Sequence, residues 1–272
     1  MTASFPPPGG QSSPKIDTTV PHSARIWNYW LGGKDNYPVD QAAGDAYVKT
    51  FPGIVTIART SRVFLARAVR YLAADAGIRQ FLDIGTGLPT HDNTHEVAQR
   101  VAPESRIMYV DNDPLVLVHA RALLTSSAEG ACDYIDADLR NPAAILSAAV
   151  RTLDLSQPLA LMLMQILGHI TDDDQAYAIV RELVAALPSG SYLVISDGTN
   201  VGSEELDAAL RSYSDTGAVP YRIRGPEQIA RFFDGLELVE PGVAPCLQWR
   251  AEAASVFPPP EVETLGAIGR KP

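Results

Sequence analysis

Residues 83–92 read DIGTGLPTHD. Gly85 and Gly87, two apart and directly after an apolar run, allow a tight turn and a close approach of backbone to a ligand. Alone, such a pair also suits an ordinary strand-to-helix turn. Its surroundings narrow the ligand. A dinucleotide fingerprint would put a third glycine at position 90, where this chain has Thr90. A diphosphate site at a helix N-terminus needs free backbone N–H groups, and Pro89 has none. Asp83, just ahead of the glycines, repels phosphate and favours a cation. Asp83, Gly85, Thr86 and Gly87 therefore suit a nucleoside with a cationic tail better than a diphosphate.

Asp111 and Asn112 end a second apolar run, in VDNDP. A carboxylate in that place accepts hydrogen bonds from both ribose hydroxyls. Asp138 and Leu139 end a third. Asp138 either takes an adenine amino group, with Leu139 against the ring, or caps the helix that NPAAIL begins. A nucleoside with a positive charge and no phosphate describes S-adenosylmethionine. Methyl transfer from it is an in-line displacement, driven largely by holding the acceptor close and aligned. A base is needed only when the acceptor has a proton to lose. His169 and Asp197 are the candidates, with Gln165 placed to orient the acceptor or cap the site. His91, Arg62, Tyr213 and Tyr221 are candidate pocket walls. His91 and His95 lack the glutamate of a zinc-binding H-E-x-x-H pair, and no metal is implied.

The elements that must position these residues alternate. QFLDIG, RIMYVDND, ACDYIDADL, PLALMLMQIL and SYLVISD read as five strands, separated by four helices. That pattern predicts a doubly wound parallel sheet. Ligands in such sheets bind outside the carboxyl ends of the strands, where DIGTGLPT, VDNDP, DADLR, QILGHI and SDGTN fall. Ahead of the sheet, a helical region from Ser23 to Ala76 opens with RIWNYWLGGKDNYPVD. Trp27, Trp30 and Leu31 share one helical face, with Ile26 and Tyr29 on an adjoining one. The segment either packs in the core or roofs the cofactor. As a roof, it would place Tyr29, Trp30 and the Gly32-Gly33 turn against the ligand, and Asp35 and Tyr37 at its methionine end. Rings also attract a sulfonium cation. After the sheet, SEELDAALRSYS and PEQIARFF read as helices and LELVEP with CLQWR as a strand pair; PPPEVETLGAIGRKP reads as a frayed tail.

Composition bounds the partners. The chain has 272 residues, 22 Lys plus Arg against 32 Asp plus Glu, and a net charge of −10. An acidic chain without a basic run does not grip phosphate backbones, which sets nucleic acid aside. Two distant cysteines, Cys132 and Cys246, fit neither a disulfide scaffold nor a zinc site and suit a reducing compartment. No apolar leader or membrane-length run is present, so the expectation is a cytoplasmic protein acting on a small molecule, away from membranes, with homodimerisation left open.

LDIGTGLPT, VDNDPLVLVHAR and DADLR resemble, in order and spacing, the first three motifs of class I S-adenosylmethionine-dependent methyltransferases. WLGGKDNYPVD, FLDIGTGLPT, NTHEVAQRV, YVDNDPLVL and FFDGLELVEPG resemble more narrowly an actinobacterial S-adenosyl methyltransferase group of formerly unknown function, from about residue 20 to 250. The resemblance implies S-adenosylmethionine as cofactor and a Rossmann-like class I fold: a doubly wound, mostly parallel, seven-stranded sheet under an N-terminal helical lid. Some relatives in the group methylate natural products, including indoles, which points to an aromatic small-molecule acceptor. Where the group usually has LHHI, this chain has Gly168 before His169, so no role carries over to position 168. The expected organisation is a disordered tail over 1–21, a helical cap over 22–76, a cofactor-binding core over 77–200, the rest of that domain over 201–257 and a tail over 258–272. The competing readings are a non-catalytic S-adenosylmethionine binder and an NAD-type oxidoreductase.

Overall fold

The computed structural model describes residues 16–123, 125–199, 208–210, 220–251 and 263–272. All five expected strands form: β1 (Gln80–Ile84), β2 (Arg106–Asp111), β3 (Ala131–Asp136), β4 (Ala160–Met164) and β5 (Tyr192–Thr199). The five run parallel to one another. β1 and β4 are buried along their whole length, as central strands covered on both faces must be. Three later strands complete the sheet: β6 (Glu237–Leu238), β7 (Ala244–Pro245) and β8 (Glu263–Arg270). The order is β3-β2-β1-β4-β5-β8-β6, with β7 also paired to β8. Seven strands thus lie in line, as expected. The order reverses between β1 and β4, so a crevice opens at their carboxyl ends.

Two expectations fail at the C-terminus. Residues 263–270 are not a tail but strand β8, inserted antiparallel between β5 and β6. Gly266 and Gly269 hide it in the sequence, because glycine weakens a strand pattern. Both are there for space: a Cβ would lie 2.7 Å from the Phe64 ring at Gly266, and 2.7 Å from Phe233 at Gly269. LELVEP and CLQWR do not pair with each other. β6 pairs with β8, and Cys246–Arg250 turns back on itself, with Trp249 N–H donating to Pro245 O at 2.9 Å and its ring buried under the sheet.

The helices are α1 (Ser23–Trp30), α2 (Pro38–Thr50), α3 (Ile54–Ala74), α4 (Thr94–Val101), α5 (Pro114–Leu123), α6 (Pro142–Ala149), α7 (Asp173–Ala185) and α8 (Pro226–Ala230). One core layer joins the sheet to α6 and α7 through Leu82, Leu161, Ile145 and Leu183. The opposite layer joins it to α3 and α4 through Phe81, Met162, Phe64 and Leu72. The later part of α3 therefore covers the sheet rather than belonging to a lid. A third cluster, with Ile26, Trp30, Tyr47 and Phe51, makes α1 and α2 a separate cap. Residues 16–21, expected as tail, are fastened to it: Arg25 donates to the carbonyls of Asp17 (3.0 Å) and Val20 (3.4 Å). Of the helix expected over 203–214, residues 208–210 are helical and the rest lies outside the described residues. Among the described residues no helix is long and apolar enough to cross a membrane.

Candidate active site

The glycine turn leaves β1 in left-handed backbone, with φ +76° at Gly85 and +66° at Gly87. A Cβ on Gly85 would sit 2.6 Å from the Ile166 side chain, so this strand end has no room for one. The N–H groups of the turn are already engaged. Gly85 donates to Val110 O (2.8 Å), Gly87 to Asp111 Oδ2 (2.8 Å) and Thr90 to Asn93 Oδ1 (3.0 Å). α4 starts only at Thr94, behind a capping box in which Asn93 N–H reaches Glu96 Oε2 at 2.9 Å. Among the described residues, the glycine turn does not run straight into a helix N-terminus, as a diphosphate site of the dinucleotide kind requires. The NAD-type reading fails on this geometry.

Asp111 accepts from Gly87 N–H and, through Oδ1, from Asp113 N–H at 2.9 Å. Two backbone donors aim the carboxylate while leaving it acceptor capacity for a ligand. Burial raises its pKa, and those two bonds oppose the rise. Asp83 is buried beside it and accepts from Thr94 Oγ1 at 2.6 Å. Burial pushes the Asp83 carboxyl up to about 6, against the bond from Thr94 and the charge of Arg62. Arg62 donates to the carbonyls of His91 (3.0 Å) and Asp92 (2.9 Å), tying α3 to the loop after the glycines.

These residues line one large cavity at the switch point. Its wall includes Asp83, Gly85, Thr86, Gly87, Asp111, Asn112, Asp138, Leu139, Gln165 and His169 from the strand ends, and Trp30, Arg62 and Tyr221 from around them. Asp138 does not cap α6. Asn141 does, accepting from Ala144 N–H at 3.2 Å, while Asp138 accepts the Arg140 N–H at 2.8 Å. Arg140 also reaches His169 O at 2.8 Å and so bridges the loops after β3 and β4.

Several expected residues stay outside the cavity. Tyr29 points away, its hydroxyl donating to Asp45 at 2.7 Å. The Gly32-Gly33 turn closes on Asn28 rather than on a ligand, since a Cβ at Gly33 would lie 2.3 Å from the Asn28 amide. Tyr37 is the N-cap of α2 and packs beside the Arg25 guanidinium. Asp35 lies 3.9 Å from His119. His91 offers its carbonyl to Arg62 and its side chain to a neighbouring groove. Tyr213 lies outside the described residues.

The far end of the cavity is built from β4, β5 and the chain around Tyr221. Gln165 adopts φ +55°, held by its N–H to Ser196 O at 2.8 Å, and its buried Nε2 has no hydrogen-bond partner. Gly168 lies under the Tyr221 ring: a Cβ there would be 2.2 Å from Tyr221 Cζ. Tyr221 donates to Asp197 Oδ1, which lies behind it and does not line the cavity. The His169 ring meets Tyr221 edge-on, centroids 4.9 Å apart.

A model of the family described as S-adenosyl methyltransferase matches residues 9–272. The chain belongs to the S-adenosyl methyltransferase family. Among solved structures, a DUF574 family protein from Streptomyces avermitilis is 47% identical, covering 95% of this chain and 100% of its own, with a TM-score of 0.90. A protein from Thermobifida fusca, provisionally described as a methyltransferase, is 40% identical over 95% of this chain and 97% of its own, with a TM-score of 0.87. Comparison with curated proteins gives no match. The family makes this protein an S-adenosylmethionine-dependent methyltransferase of the Rossmann-like class I fold, and the cavity fits that cofactor. It brings together the buried carboxylates Asp83 and Asp111 and an unpartnered buried amide at Gln165.

Sequence reasoning missed how the cap is held down. Asp113 is buried, with His22 Nδ1 at 3.0 Å and Arg25 Nε at 3.4 Å. Arg25 also lies 3.7 Å from the buried Asp40, which accepts the N–H groups of His22 and Tyr37, both at 2.9 Å. Burial alone would raise the Asp113 carboxyl, yet its bonds and charges with His22 and Arg25 hold it low. The second acid of VDNDP was the available clue. Tyr47, a cavity wall from α2, carried no such mark.

Proposed function

We propose that this methyltransferase acts on a small aromatic acceptor seated between the cap and the Tyr221 end of the cavity. One observation carries this reading: between the cap and Tyr221, the cavity wall includes the aromatic and aliphatic side chains of Trp27, Trp30, Tyr47, Tyr221, Ile54 and Ile223. Trp27, Trp30 and Tyr47 form a ladder with centroid spacings of 5.8 and 5.3 Å, and Trp30 is fixed by its indole N–H to Gly44 O at 3.3 Å. Such a wall favours a flat apolar molecule, and an enclosed cap keeps water from competing for the methyl group.

In this reading Asp111 and Asn112 hold the ribose, Asp138 and Leu139 the adenine, and Asp83 the cationic methionine end. When bound, the cofactor supplies an electrophilic methyl group. The protein's part is to place an acceptor in line with it and to exclude solvent. The test is incubation with labelled cofactor and a panel of phenols, indoles and non-aromatic amines of similar size. Label is expected in the aromatic products. Transfer confined to the non-aromatic amines would sink the proposal.

A further inference from the structure

Tyr221 is set into the cavity by a strap of chain that the sequence did not announce. Arg222 N–H donates to Gly168 O at 2.8 Å. Arg224, fully buried, donates to Leu167 O (2.8 Å) and Ile170 O (2.6 Å) and meets Asp173 at 3.1 Å. Residues 221–224 are thus bolted across the carboxyl end of β4, and Gly168 supplies the gap that the Tyr221 ring fills. The ring forms part of the cavity wall, while its hydroxyl donates inward to Asp197 Oδ1. Asp197 is 1% exposed, and its other oxygen, Oδ2, has no hydrogen-bond partner. A carboxylate left half-satisfied in the interior, linked by one hydroxyl to a cavity, is expensive to keep for packing alone.

We propose that Tyr221 and Asp197 form a two-residue proton relay at the acceptor end, so that the acceptor is an aromatic molecule that gives up an O–H or N–H proton. This deepens the aromatic-acceptor reading and rests on it. The acceptor's proton passes to Tyr221 Oη as Tyr221's own proton passes to Asp197 Oδ1. The electron pair freed on the acceptor takes the methyl group, and the C–S bonding pair stays on sulfur. The sulfonium charge and the Asp197 carboxylate charge vanish together, so the step leaves no new unpaired charge behind.

The surroundings agree with this direction of transfer. Burial pushes the Asp197 carboxyl up to about 6, opposed by the Tyr221 hydroxyl and the charge of Arg224. It is ionised at neutral pH, yet within reach of a proton. Tyr221 is held well above the usual phenol range by burial and by Asp197, so it passes a proton on rather than losing one to solvent. The other titratable groups facing the pair are Tyr47, buried Cys246 and the ring of His169.

The test counts protons and needs no turnover. para-Nitrophenol is titrated into the protein saturated with S-adenosylhomocysteine at about pH 8.5, where the probe is largely phenolate, in two buffers of different ionisation enthalpy. A shared relay proton requires uptake of about one proton per probe bound. Uptake is expected to fall towards zero in Asp197→Asn and Tyr221→Phe and to persist in His169→Gln. Uptake that survives in the first two variants, or is lost in His169→Gln, overturns the relay; so does a wild-type protein that takes up no proton or binds no probe. S-adenosylhomocysteine affinity, measured first in every variant, separates these outcomes from misfolding. Its absence in the wild type would count against the cofactor site itself.

Discussion

Asp111 has one carboxylate and two structural donors, the N–H groups of Gly87 and Asp113. Asp111→Ala should therefore act twice. It removes a charge-assisted pair with the ribose, weakening cofactor binding by about 1–3 kcal/mol, and it frees the glycine turn. Asp111→Asn keeps an acceptor for one N–H and should lose less affinity. Calorimetry on both variants checks the order, and unchanged affinity in Asp111→Ala would remove the ribose assignment. Asp83 makes a pH prediction. Its folded pKa, about 6, lies above the ordinary 3.8. Between these values the folded protein holds a proton that the unfolded chain has lost, so Asp83 contributes stability that fades as pH rises towards 6. A cationic ligand pulls the group back to its ionised form and releases that proton. S-adenosylmethionine affinity should therefore tighten as pH rises from about 5 to 7, by up to about tenfold per unit below the folded pKa, and then level off. Asp83→Asn should bind more weakly with a flat profile, and a variant that kept the slope would assign it to another group.

The element scale shows what the sequence reveals and what it hides. The five parallel strands were legible because they alternate with helical stretches and end in glycine or polar residues, and because β4 and β5, buried throughout, read as largely apolar runs. The strand-end residues Asp83, Gly85, Asp111 and Gln165 followed, since topology alone brings those ends together. β8 was not legible. Its Gly266 and Gly269 answer to rings contributed by α3 and by the turn after α8, which local pattern cannot show. The positions of Tyr29, Gly33 and Tyr37 were misjudged for a similar reason: an aromatic helix has several apolar faces, and only packing decides which one meets the cavity. Gly266→Val tests the account of β8. Its added atoms would press on Phe64, at a cost of about 1–3 kcal/mol. The melting temperature should fall by several degrees, and Phe64→Leu in the same chain should recover part of the loss. Additive effects of the two changes would show that the contact is not what keeps glycine there.

At the scale of the whole molecule, buried charge fastens the cap near the end of β2, beside a small apolar contact of Ala24 and Tyr37 with Leu88, Leu115 and Val116. The cap cluster around Ile26 and Trp30 is separate from both sheet layers, and Asp113 is where His22 and Arg25 reach the end of β2. The cap also supplies Trp27, Trp30 and Tyr47 to the cavity wall. Its attachment should therefore be linked to ligand binding. A ligand that binds only the folded, closed form stabilises it by about 2.7 kcal/mol at a hundred times its dissociation constant. Asp113→Asn keeps an acceptor for the Leu115 N–H, now met at 2.9 Å by Oδ1, but leaves Arg25 with the more distant Asp40. Breaking a buried pair in this way costs about 3–5 kcal/mol. If that cost opens the cap, saturating S-adenosylhomocysteine should raise the variant's melting temperature by less than it raises the wild type's. The shortfall should grow smaller as ligand concentration is increased, because the ligand then drives closure by mass action. An equal ligand-induced rise in both proteins, despite a lower starting temperature in the variant, would mean that the cap closes independently of the cofactor site.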